Sequence, residues 1–416
     1  MQTNRTISNW KTDLFWGKMR RFLFIIVMAV LLLSPPQQAR AQSGIAVTNA
    51  GMTVEFGQHV TFQARIQSPS PIASATIVFT DNFDEIPRRF PVEIGANGEI
   101  AYRYDVAQNV LRPFATITYW FDVTLSNGQT FRSPNFSEQY IDNRFVWQQR
   151  SNEQLRIFWY EGDDTFGDML LDAGRRGLNA ISALIPAQAV APVDVYVYAN
   201  PTDLQSALFL GGEEWQGGHA NPRLGVVMLA VSPGPSQSIE METLIPHELA
   251  HVMLYRNVGI GYASLPVWLS EGIASLAELY PNPDYDQALS IAGQNGSLMS
   301  IEELCDTFPL DASRAYLAYA EAQSFVRFLR DTYGAPSLFS LTSAYADGLN
   351  CDQGVVRTLG ASLVSLDTRW RETVLGQNVV GVFLRNMLPY LALFVFMLLI
   401  PLIGFFQKRP PDAGTG

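Results

Sequence analysis

Four residues in the middle of this chain have the types and spacing to handle a metal ion. His247 and His251 bracket Glu248-Leu249-Ala250. Residues four apart on a helix share a face, so both imidazoles can meet one ion. Glu248 projects beside them, where a carboxylate can take a proton from water at the metal. Three protein ligands and a water are the usual arrangement of catalytic zinc, so a third ligand is expected from a following helix. Residues 266–275 supply Glu271, with 271 − 251 − 1 = 19 residues between it and His251. Glu271 sits among apolar residues, where a carboxylate without a partner is costly. Coordination removes that cost; a buried salt bridge is the alternative. The expected set is one Zn2+ ion on His247, His251 and Glu271, with Glu248 as catalytic base.

These residues need a scaffold. Leu244, Ile245, Val252, Met253 and Leu254 suit a buried helix, and Pro246 is acceptable within a first turn. Residues 257–261 hold two glycines and let the chain turn toward the second helix. Upstream, residues 154–160, 193–198 and 224–231 read as strands, and 166–184 as a helix capped by Asp164 or Thr165. A few strands followed by a run of helices indicates an α+β fold. The strand at 226–229 is placed to hold a substrate backbone by strand addition. His219, in Gly217-Gly218-His219-Ala220, reads as an exposed loop histidine at the cleft rim. Cys305 and Cys351 are the two cysteines of the chain. They fall in one helical region and are a candidate disulfide; neither has metal-ligand spacing.

The run HELAHVML followed by LPVWLSEGIAS resembles the gluzincin clan of metallopeptidases, the peptidase MA-like family, whose relatives include thermolysin and the membrane-alanyl aminopeptidases. The likeness extends through residues 318–334 to 363–375. It implies a zinc peptidase domain over about 152–376 acting on a peptide or protein substrate. Carried over by position, His247, His251 and Glu271 are the zinc ligands and Glu248 the base. Tyr319 best matches the oxyanion tyrosine, with Tyr316 as the fallback; both residues also suit a helix core. Where thermolysin-like members have a second-shell aspartate, this chain has Ser275. Glu278, one turn further on, is the substitute considered. No segment resembles the one with which the clan's aminopeptidases hold a substrate's N-terminus.

Outside that region, residues 43–145 hold short β-branched and aromatic runs at about ten-residue intervals, among them 53–56, 60–66, 75–79 and 116–125, with an Asn127-Gly128 turn. This predicts an immunoglobulin-like β-sandwich acting as spacer or binding module. The fold class expected is multidomain: a β-sandwich, an α+β gluzincin domain and a C-terminal transmembrane helix. Residues 1–41 read as a signal peptide. Lys18, Arg20 and Arg21 precede an apolar run at 22–33, and Ala39-Arg40-Ala41 is a cleavage pattern; Met19 is an alternative start, and an uncleaved anchor the alternative reading. Residues 387–406 carry no charge and are long enough to span a bilayer, with 407–416, containing Lys408 and Arg409, as a cytoplasmic tail. A buried helix is the alternative there. The expected location is a single-pass cell-membrane protein with its catalytic domain outside the cytoplasm. The net charge is 28 − 39 = −11, and no basic patch interleaves with aromatics, so nucleic acid is excluded as a partner. Rival functions are a surface binding or assembly protein with a structural or degenerate zinc site, and a non-peptide metallohydrolase.

Overall fold

The computed structural model describes residues 44–186, 191–208, 218–377 and 387–399. The first eight strands are β1 (Ala46–Glu55), β2 (His59–Gln67), β3 (Ile72–Asp81), β4 (Arg88–Ile94), β5 (Glu99–Asp105), β6 (Thr116–Leu125), β7 (Thr130–Arg132) and β8 (Phe136–Gln139). They form one sheet in the order β1-β2-β5-β4-β3-β6-β7, with β8 also on β6. The side chains of β6 alternate strictly between buried and half-buried, as a curled sheet with one inner face requires. This corrects the sandwich expectation. β4 pairs with both β3 and β5, so the strands join into a single barrel-like sheet instead of two facing ones. Glu138 bridges the open seam: its Oε1 accepts from the Met52 N–H at 2.9 Å and from the Tyr119 hydroxyl at 2.8 Å.

A second sheet follows. Its strands are β9 (Gln148–Ser151), β10 (Leu155–Trp159), β11 (Val193–Tyr198), β12 (Gly218–Asn221) and β13 (Val226–Ala230), in the order β12-β13-β11-β10-β9. β10, β11 and β13 run parallel. Helix α1 (Asp164–Ser182) crosses from β10 to β11 and starts on an Asp163 cap bonded to the Phe166 N–H. A short α2 (Pro201–Leu208) lies on the opposite face, and α3 (Gln237–Val258) packs beside α1. α4 (Val267–Ala277), α5 (Tyr285–Asn295), α6 (Ala312–Tyr333), α7 (Ala335–Ala346), α8 (Cys351–Leu359) and α9 (Leu363–Thr373) complete the α+β domain.

β11 and β13 are buried along their whole lengths because both faces of the sheet are covered. One core joins Val195, Val197 and Leu229 to the helices. The other joins Tyr196, Tyr198 and Met228 to the barrel. Phe114 of the barrel stacks on Tyr196 with ring centroids 3.5 Å apart. The barrel is therefore the second wall of the five-stranded sheet.

Residues 387–399 form a helix with exposed side chains. Among the described residues no helix is long and apolar enough to cross a membrane. The transmembrane helix, the membrane as partner and the single-pass location are corrected accordingly. Residues 1–43 and 400–416, which hold the signal-peptide reading and the tail, lie outside the described residues.

Glu321 on α6 is wholly buried. Its Oε1 accepts from the Met299 N–H at 3.0 Å, and Oε2 has no partner. Burial raises this carboxyl from 4.5 to about 8. A folded-state pKa above the unfolded one contributes its full stability below about pH 4.5 and loses it as pH rises through about 8, by up to about 1.4 kcal/mol per unit. Glu321→Gln mimics the protonated form and should flatten that loss in thermal melts between pH 5 and 8. An unchanged slope would mean the carboxyl is ionised in the fold.

Candidate metal centre

Helix α3 carries His247, Glu248 and His251. Pro246 lies 246 − 237 = 9 residues into it, not in a first turn. Proline offers no N–H to the carbonyl four residues back. The Glu242 carbonyl, so released, accepts instead from the N–H of Leu279 at 2.8 Å and of Tyr280 at 3.4 Å. Thr243 Oγ1 donates to the Tyr280 carbonyl at 3.1 Å. These bonds tie the chain after α4 to α3 and deliver Glu278 against His247, with Oε1 2.9 Å from Nδ1.

α4 is seated from its other end. The N–H groups of Val267 and Trp268 donate to the carbonyls of Cys305 and Leu304, satisfying two of the donors a helix start leaves open. A disulfide joins Cys305 to Cys351. By closing a loop of 46 residues it contributes about 4 kcal/mol in the chain-entropy account. Gly272 lets α6 come close: a Cβ there would stand 2.4 Å from Val326 and 2.6 Å from the Ala322 carbonyl. That approach sets the Tyr319 hydroxyl to donate to the Glu271 carboxylate.

Glu271 Oε2 lies 3.3 Å from His247 Nε2 and 3.7 Å from His251 Nε2. One donor atom from each of the three falls within 4.8 Å of the others, so the cluster can coordinate a metal ion. The outer nitrogens fit that role. His247 Nδ1 faces Glu278, and His251 Nδ1 lies 3.0 Å from the Tyr262 hydroxyl. With each Nε2 turned to an ion, each Nδ1–H donates outward, which fixes tautomer and ring orientation. A cleft of about 350 Å³ opens over the cluster, bordered by Glu248, Tyr262 and Tyr319.

Residues 173–376 match the Peptidase MA superfamily. No curated protein matches the chain. An M1 zinc metallopeptidase from Deinococcus radiodurans is 14% identical, with a TM-score of 0.35, over 79% of this chain and 94% of that one. A carbohydrate-binding module family 56 beta-1,3-glucan binding domain is 18% identical, with a TM-score of 0.17, over 22% of this chain and 96% of its own. At those scores neither likeness bears on activity.

At the cluster, burial disfavours the charged forms of His247, Glu248, His251 and Glu271. It lowers His251 to about 4. It also works against the His247 cation, but hydrogen bonds to Glu271 and Glu278 outweigh it and raise that imidazole. Burial raises Glu248 to about 7, the His247 charge opposing and the Glu271 charge adding. The Glu248 carboxylate accepts from the Ala220 N–H on β12. β12 passes this close because residue 218 is glycine: a Cβ there would stand 2.6 Å from Glu248 Oε1.

Not every expected residue arrives. Ser275 is buried on α4 with its hydroxyl unpartnered, and it does not line the cleft. Glu278 takes the place beside His247, from just beyond the end of α4 instead of a further turn along it. Tyr316 donates to Asn282 Oδ1 at 3.1 Å and does not line the cleft, whereas Tyr319 does. His219 lies on β12 and lines the cleft, where a loop histidine was expected. Tyr262 and Tyr285 also line it and were missed. Tyr262 follows a glycine-rich turn whose sequence has no periodicity to mark it. Glu278→Gln and Tyr262→Phe should each weaken metal binding by about 10–100-fold, read by chelator competition. Unchanged affinity in either would remove that residue from the metal's support.

Proposed function

We propose that this chain is a zinc peptidase, with one ion on His247, His251 and Glu271 and with Glu248 as general base. The observation that carries the reading is the open geometry. Three donors converge beside a cleft, and a further carboxylate, Glu248, stands next to them outside the group. A closed structural site has four protein ligands and no use for that carboxylate. Two imidazole nitrogens and one carboxylate oxygen match catalytic zinc better than the all-oxygen sets of magnesium or calcium.

Bound there, zinc supplies a Lewis acid that polarises a substrate carbonyl and acidifies water. Glu248 holds the water and accepts its proton as the new C–O bond forms. It then gives that proton to the departing amine as the C–N bond breaks. Tyr319 keeps its proton, because burial and the charges of Glu271 and Glu248 push its phenol up. Its hydroxyl, now on Glu271, is the donor we assign to the carbonyl oxygen as that oxygen gains charge. Other hydrolysable bonds suit the same centre, so the substrate must be tested directly.

The test is metal analysis of the purified protein with mass spectrometry of a mixed peptide library. One zinc per chain is expected, with cleavage lost to a chelator and restored by zinc. Zinc without peptide cleavage would overturn the peptidase reading and keep the metal site. Neither zinc nor cleavage would refute the proposal.

A further inference from the structure

β12 is the outer strand of the catalytic sheet. Residues opposite one another in an antiparallel pair lie on the same face. Ala220 is opposite Val227, on the helix side, and His219 is opposite Met228, in the barrel-side core. His219 thus turns toward the barrel from a strand that borders the metal cleft. Two arginines stand on that side. Arg112 comes from the barrel segment between β5 and β6, and Arg223 from the tip of the β12–β13 hairpin. Both guanidinium groups lie over the Phe83 ring, 4.9 Å and 5.5 Å from its centroid. Burial holds the His219 imidazole below its usual range, and the charge of Arg112 adds to that effect.

Both positions are built. Two residues after Arg112, Phe114 takes a φ of 62° and stacks on Tyr196, and the Arg112 carbonyl accepts from the Ala115 N–H. Around Arg223, Asn221 Oδ1 accepts from the Leu224 N–H, and the Gly225 N–H donates to the Asn221 and Pro222 carbonyls. Among the described residues neither arginine is ion-paired. Asp81 and Asp84 of the Phe83 loop are both held by Arg88. Two cations share one aromatic ring next to a hairpin whose His219 and Pro222 line the metal cleft, in a chain of net charge −11. Like charges held together repel, and an anion brought between them relieves that repulsion. A guanidinium presents a planar fork that matches a carboxylate.

We propose that the barrel extends the metal cleft with a carboxylate-selecting wall: Arg112 and Arg223, held together on Phe83 next to the hairpin that lines the cleft, favour peptides with a carboxylate on their barrel-facing side. This rests on the peptidase reading. A strand laid along β12 would turn alternate side chains toward the metal and toward this wall.

The experiment uses the full chain, zinc-loaded and carrying Glu248→Gln, and reads peptide binding by fluorescence anisotropy. One pair of peptides has an internal glutamate or glutamine with the C-terminus amidated. A second pair is neutral, with the C-terminus free or amidated. The two pairs distinguish a side-chain carboxylate from a terminal one. In at least one pair the carboxylate form should bind about tenfold tighter. That preference should vanish in Arg112→Gln/Arg223→Gln, survive in Arg112→Lys/Arg223→Lys, and shrink as salt rises. Equal affinity within both pairs overturns the proposal, as does a preference that survives the glutamine variant. Binding is read apart from turnover. A wild-type chain that cleaves peptides, with no discrimination in this assay, keeps the peptidase reading and loses the wall. One that discriminates without cleaving does the reverse.

Discussion

Glu248→Gln should lower peptide turnover by about a thousandfold while metal content stays at one ion per chain. The two halves of that result come from different atoms. Metal content depends on His247, His251 and Glu271, whose donor atoms form the cluster without Glu248. Glutamine has the shape of glutamate, and its amide oxygen can still accept from the Ala220 N–H. The tight passage of β12 at Gly218 is therefore undisturbed. What glutamine cannot do is take up a proton and release it. It also removes a buried acid that burial already disfavours as an anion, so folding stability should hold or rise. Metal content by mass spectrometry and turnover of a cleaved peptide, measured on one preparation, test both halves. Turnover equal to wild type would remove Glu248 from the mechanism. Loss of metal together with turnover would show that the substitution disturbed the ligands instead.

The metal triad was legible because its geometry is local: a spacing of four on one helix face, then a carboxylate in an apolar helix. The support around it was not. Glu278 reaches His247 through a carbonyl that Pro246 releases, and that consequence appears only once α3 is known to start at Gln237. The stretch before the histidines, Gln237 to Thr243, is largely polar, and Ser236 makes no side-chain cap bond. Nothing in its pattern therefore marks the earlier start. The barrel was legible as strands and not as a barrel. Alternation identifies the inner face of β6 but does not say which strands are its neighbours. The decisive strand, β4, contains Pro91, a residue that argues against strand in a sequence reading, and pairs on both sides. The tyrosines of β11 read as ordinary alternation, and the second layer they bury against could not be seen from them.

That second layer sets the other large expected effect. Arg144→Met should destabilise the folded chain by about 4 kcal/mol, read from urea unfolding. Asp142 has no exposure at all, and Arg144 meets it with two bonds, Nε to Oδ1 at 2.8 Å and Nη2 to Oδ2 at 2.6 Å. The buried Tyr198 hydroxyl donates to the same Oδ2 at 3.1 Å, across the boundary between barrel and sheet. Arg144 further donates to Ser206 Oγ at 2.7 Å and lies over the rings of Phe56 and Phe145. Removing it strands a carboxylate inside an aromatic layer, where lost Coulomb attraction leaves the desolvation penalty uncovered. The source of the penalty can be isolated. Asp142→Asn placed in the Arg144→Met background removes the stranded charge while keeping an acceptor for Tyr198, so the double variant should be more stable than the single one. If it is not, the loss comes from packing over Phe56 and Phe145 and not from charge. The barrel and the catalytic sheet share this core, so both variants should unfold in one transition, reported alike by the barrel tryptophan Trp120 and the catalytic-sheet tryptophan Trp159. Two separate transitions would mean that the barrel folds independently of the domain it packs against.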